Sequence, residues 1–213
     1  MRNLIKDVTG GFGNGDGGSF SVPLNKVEAL VSKYDVTYAA FVHLLVCLAQ
    51  KKYNNKDSYL LTFLENRSPN ENAAGMRMSN GAIGITTESR KLEDLFKDMS
   101  EQQHNMIRYS YYHYASYHPI EDDYSYLWVS YIADWFDSDS NALFLGKQLI
   151  LENQYLKYSK ARPLLYLRVM HEKGRMVFIF QYDAKHLSAK HAKDFMSLLE
   201  HTANELLEER VPE

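Results

Sequence analysis

PLLYLRVMHEKGRMVFIFQYDAKHLSAKHAKDFMSLLEHTANELLEE, residues 163–209, is the stretch whose reading decides the fold. Leu164, Tyr166, Arg168 and Met170 alternate with Leu165, Leu167 and Val169. Beyond a glycine, Met176, Phe178, Phe180 and Tyr182 alternate with Val177, Ile179 and Gln181. A period of two marks strands. Glu172-Lys173-Gly174 is expected to be a three-residue hairpin loop, with Gly174 at positive φ. Ser188 stands where an N-cap belongs, and Ala192, Phe195, Met196, Leu199, Ala203 and Leu206 recur at helical spacing. A hairpin backed by one helix must find further strands to bury its faces.

Those strands are legible upstream. Phe20 and Val22 predict a short strand, Pro23 a first helical residue, and Val27, Leu30 and Val31 a helix ending near Tyr34. Thr37 is expected to cap a helix whose Phe41, Val42, Leu44, Leu45, Val46, Cys47 and Leu48 make it apolar on most sides, hence deeply buried. Ser58–Leu64 predicts a strand apolar on both faces and central in its sheet. A loop over 65–81 and a strand over Ala82–Thr86 follow. Ser89 caps a helix reaching about His113, and two further strands fall over Tyr124–Ile132 and Leu143–Leu151. The order β-α-α-β-β-α-β-β-β-β-α predicts a mixed α/β fold, a mixed sheet in a two-layer sandwich.

Bulk composition narrows the function classes. The chain has 213 residues, 45% hydrophobic, with a net charge of −3 and a single cysteine. That supports a sizeable core, but no basic footprint for nucleic acid or a membrane surface and no disulfide framework. No apolar run reaches transmembrane length and no signal peptide opens the chain, so the expected compartment is cytoplasmic. Gly10, Gly11, Gly13, Gly15, Gly17 and Gly18 crowd the start. A phosphate loop needs a preceding strand and a following helix with Lys-Ser/Thr, so residues 1–18 read as a linker or the cut end of something longer, and 19–213 as the folded unit.

The candidate chemistry is sparse. His118 and Asp122 have the spacing of a histidine base and a loop-ordering aspartate, but lie in a polar connection. Asn66 and Arg67 leave the end of a central strand, where open α/β sheets place ligand groups. There Arg67 has the alternatives of binding a carboxylate or forming a structural ion pair. His43 and Cys47 read as core residues, His104 and His113 as solvated on a helix flank, and His171 as hairpin tip. Tyr109, Tyr111, Tyr112, Tyr114 and Tyr117 suit structural packing or a channel lining. No residues suggest a metal site.

Several segments nevertheless resemble one family. Thr37 to Leu45 is similar to the Thr-led buried helix in the second half of nonribosomal peptide synthetase condensation domains. Ser58 to Arg67 resembles their next strand, which ends in Asn-Arg. Ala74 to Asn80 resembles their Ile-Gly-x-Phe-Val-Asn-Thr segment, although Asn80 lies five residues after Gly75 rather than four. Gln181-Tyr182-Asp183 and Leu187-Ser188-Ala189 match the closing strand, turn and helix. The resemblance implies one lobe, the C-terminal one, of a chloramphenicol-acetyltransferase-like fold.

The family's His-His-x-x-x-Asp-Gly motif occurs nowhere in this sequence. The resemblance therefore implies a lobe inactive alone, with Asn66, Arg67 and Asn80 toward a substrate tunnel and the general base on an N-terminal lobe. It further implies a peptidyl or acyl carrier protein as partner, bringing phosphopantetheine, and no directly bound cofactor. Two alternatives stand beside it: a stand-alone module that recruits carriers or self-associates, and a small acyltransferase using His118.

Overall fold

The computed structural model describes residues 15–54, 59–65, 78–85, 91–108, 127–132, 165–184 and 187–210. The elements are β1 (Gly15–Pro23), α1 (Leu24–Lys33), α2 (Tyr38–Asn54), β2 (Tyr59–Glu65), β3 (Met78–Gly84), α3 (Leu92–Arg108), β4 (Leu127–Ile132), β5 (Leu165–Glu172), β6 (Arg175–Asp183) and α4 (Ala189–Leu207). Six strands form one mixed sheet in the order β1-β6-β5-β4-β2-β3. Strands β2, β4 and β5 run parallel, while β1, β6 and β3 join antiparallel. The expected mixed α/β arrangement is therefore present, as two layers among the described residues.

The alternation in the deciding stretch places β5 and β6 as read. Leu165, Leu167 and Val169 join Met176, Phe178, Phe180 and Tyr182 in the core under Phe195, Leu199, Ala203 and Leu206 of α4. Tyr166, Arg168 and Met170 alternate onto the opposite face of β5 and are buried as well. The hairpin differs in detail from the reading. Glu172 pairs with Arg175, leaving a two-residue loop. Lys173 and Gly174 take φ of 48° and 74°, and positive φ at both loop residues is the turn that matches strand twist.

The helix ends follow local chemistry. Ser188 caps α4, its side chain accepting from the His191 N–H at 3.2 Å. At the other end Glu209 adopts φ 57°, with Arg210 N–H bonded to the Glu205 carbonyl and Glu209 N–H to that of Leu206. Asp35 does the same after α1, at φ 50°, with Val36 N–H donating to the Val31 carbonyl. Both are left-handed caps that satisfy the last carbonyls without glycine. Pro23 is the residue before α1 rather than its first, and the Leu24 N–H donates to the Gly174 carbonyl at 3.0 Å.

α2 is the element the other helices share. Every residue from Ala40 to Gln50 is buried, with Phe41, Leu44 and Leu45 at 0% exposure. Thr37 caps it, its hydroxyl accepting from the Ala40 N–H at 3.0 Å. α4 lies along it, fixed at one end by Lys52 against Glu205 at 3.1 Å. Phe195 meets Tyr53 edge-on at 5.7 Å. Lys33 and Tyr34 at the end of α1 both bond Glu209 at the end of α4.

Two boundaries depart from the reading. β1 begins at Gly15, inside the stretch read as linker, and its glycines pair with β6. β3 begins at Met78 rather than at residue 82, so Asn80 is part of a strand and stands opposite Phe63. The strand expected over Leu143–Leu151 lies outside the described residues. Among the described residues no single helix is long and apolar enough to cross a membrane.

Candidate functional site

The parallel strands bring the C-terminal ends of β2, β4 and β5 to one margin of the sheet. Two runs change character there on the helix-facing side. Leu127 and Val129 are followed by Tyr131, and Leu165, Leu167 and Val169 by His171. Tyr131 is in register with Val169, so His171 lies one pleat further along its own strand. The Tyr131 hydroxyl is 3.1 Å from His171 Nε2. Tyr38, from the first turn of α2, meets the His171 ring edge-on at 4.9 Å and lies 6.5 Å from the Tyr131 ring.

All three side chains are half-buried. Burial, and then the charge of Glu28, raise the Tyr38 phenol above its ordinary pKa, so it stays protonated. A phenol hydroxyl beside an imidazole can donate or accept a hydrogen bond, which suits a ligand carbonyl or amide. This is also the margin at which open α/β sheets place ligands.

Behind the margin lies a hydrogen-bonded chain. The Thr37 hydroxyl donates to Gln103 Oε1 at 2.9 Å, and Gln103 Nε2 lies 2.7 Å from His43 Nδ1. With its oxygen taken by Thr37, the Gln103 amide presents N–H to the ring. His43 Nδ1 is therefore the acceptor and the ring proton sits on Nε2. Burial lowers the His43 pKa from 6.5 to about 4, so the ring is neutral. Cys47, one turn further, is buried, and burial with the nearby Asp98 charge raises its thiol pKa. Both residues are core, as read.

The expected site residues are distributed as follows. β2 ends at Glu65 on the same margin, and Asn66 and Arg67 follow it outside the described residues. Asn80 falls on the rim strand β3, two pairs in from that end. His118, Asp122, His113 and the tyrosines from 109 to 117 also lie outside the described residues. Among the described residues no group of three or more His, Cys, Asp or Glu could hold a metal. His171, expected at the hairpin tip, lies instead in β5 paired with Met176, and Tyr131 belongs to no motif in the sequence. Their signal is the switch from aliphatic to Tyr or His at the same phase of two strands. It becomes readable only once β4 and β5 are known to be parallel neighbours.

No family model and no curated protein matches the chain. Solved structures do. The first condensation domain of the calcium-dependent antibiotic synthetase, bound to a substrate analogue, is 9% identical with a TM-score of 0.72, over 98% of this chain and 49% of that one. A four-domain nonribosomal peptide synthetase bound to AMP and glycine is 14% identical with a TM-score of 0.69, over 97% of this chain and 19% of that one. The epimerization domain of the third module of tyrocidine synthetase B is 12% identical with a TM-score of 0.62, over 97% and 53%. The chain thus spans about half the length of the matched single-domain chains, or less of the larger one. It has the fold of one lobe of a condensation domain.

Proposed function

We propose that this chain is the C-terminal lobe of a condensation-like acyltransferase domain. In the intact protein it would support amide or ester bond formation between acyl or aminoacyl groups carried as thioesters. The observation that carries this reading is the alignment of nearly the whole chain with about half of a condensation domain. The order of the matching segments, from the Thr37-led helix to the Ser188-capped one, agrees with the C-terminal half.

On this reading the margin holding Tyr131 and His171 is part of the wall of the substrate tunnel. Asn66 and Arg67, which follow β2 in the sequence, and Asn80 would belong to that wall. The general base belongs to the companion lobe, since the His-His-x-x-x-Asp-Gly motif occurs nowhere in these residues. The lobe alone is non-catalytic and offers a docking face for a cytoplasmic carrier protein, whose phosphopantetheine arm delivers the acyl group.

The test is a titration of isotope-labelled chain with a carrier protein in its apo and phosphopantetheinylated forms. The loaded form is expected to perturb the resonances of Tyr38, Tyr131 and His171, and Arg67→Ala to weaken that binding several-fold. Equal or absent response to the two forms would overturn the tunnel assignment.

A further inference from the structure

We infer that Tyr38 is the residue of the strand-end margin that reads the substrate, its hydroxyl donating a hydrogen bond to an uncharged amide carbonyl. The inference rests on the tunnel reading above and deepens it. Two sources bring such an amide to the tunnel: the pantetheine arm, and an acylamino group carried at its end.

The cluster joins the two layers at the margin. Tyr131 and His171 end the helix-facing rows of β4 and β5, and Tyr38 reaches both rings from the first turn of α2. The polar tips of Tyr131 and His171 are engaged with each other at 3.1 Å. Tyr34, at the end of α1, spends its hydroxyl on Glu209. The Tyr38 hydroxyl makes no hydrogen bond among the described residues. A half-buried donor in that state gains a full hydrogen bond from a ligand without first breaking one.

Tyr38 is also held in place before a ligand arrives. Thr37 caps α2 through the Ala40 N–H, and the Phe41 N–H bonds the Thr37 carbonyl. Ala40, Phe41 and Val42 are fully buried directly behind it. The edge-on contact with His171 at 4.9 Å holds the ring. A donor fixed by packing loses little entropy on binding. Burial and the charge of Glu28 keep the proton on the phenol, so it meets a carbonyl as the donor. The same charge opposes a carboxylate at this spot, and the neighbouring rings suit a planar, uncharged group.

The experiment measures the affinity of the chain for a carrier protein in three forms: apo, phosphopantetheinylated and N-acetylglycyl-loaded. Wild type is compared with Tyr38→Phe, which keeps the ring and deletes only the hydroxyl. The expected result is a loss of roughly fivefold to tenfold, the worth of one uncharged hydrogen bond, in the affinity gained at one of the two loading steps. Loss at the first step assigns the amide to the arm, and loss at the second assigns it to the acyl chain. Apo carrier is expected to bind both chains alike. In the wild type the Tyr38 Cζ resonance is expected to shift with the same carrier form, a readout that needs no variant. Tyr38→Phe retaining both gains, with that resonance unmoved, would overturn the inference and leave the tunnel reading intact. A wild-type chain that binds all three forms alike would overturn both.

Discussion

Gly17 lies so close to β6 that a Cβ added there would fall 2.3 Å from the carbonyl oxygen of Phe180. The obstacle is backbone, so relief requires the strand itself to move. Gly17→Ala is therefore expected to destabilise the fold by about 1–3 kcal/mol, as overpacking does, with Tm lower by several degrees. Gly18 meets only the end of the Met196 side chain, at 2.9 Å, which can give way. Comparing the melting temperatures of the two alanine variants checks the distinction.

Gly174 tests a different cause. Nothing lies within 4 Å of a Cβ built there, but its φ is 74°. Gly174→Ala is expected to cost roughly 1–2 kcal/mol in chemical denaturation through backbone strain alone. Gly174→Asn, which tolerates the left-handed region better, is expected to recover part of it.

Phe195 joins α4 to α2 and to the sheet, edge-on to Tyr53 and 6.4 Å from the Phe180 ring. It is fully buried. Phe195→Ala is expected to lower unfolding free energy by about 3–5 kcal/mol, measured by urea titration.

Ser188→Ala removes the side-chain acceptor of the His191 N–H, and about 1 kcal/mol of loss is expected. Ser188→Asp restores the acceptor and places a negative charge at the helix start, so it is expected to match the wild type. Thermal melts of the two variants separate capping from a generic surface effect.

Tyr131→Phe removes one hydroxyl from the strand-end cluster while keeping the ring. The expected outcome is a change in the ring nitrogen shifts of His171, with stability altered by only about 1 kcal/mol. Tyr38→Phe, whose contact with His171 is through the ring edge, is expected to leave those shifts nearly unchanged.

Much of this architecture is legible in the chain because periodicity survives where one face is buried. The alternations of β5 and β6, the Ser188 and Thr37 caps and the all-round apolar α2 were readable for that reason. The hairpin loop was read one residue too long because the tight form requires Lys173, not only Gly174, at positive φ. Gly15 to Gly18 were assigned to a linker because glycine carries no periodic side chain. Gly17 is where the strand approaches the β6 backbone closely, which only the pairing reveals. β3 was started too late because Ser79, Asn80 and Gly81 lack strand propensity, and pairing with β2 overrides it. The strand-end cluster needed the parallel register of β4 and β5, a long-range fact that neither strand contains.

The central claim is that this lobe shapes and serves an acyl-transfer tunnel without supplying its proton-transfer base. The most direct measurement is acyl transfer from an aminoacyl-loaded carrier to an amine acceptor, with the purified chain as sole catalyst. The account predicts product formation no faster than the uncatalysed aminolysis. Turnover well above that background, and its loss in His118→Ala, would contradict it.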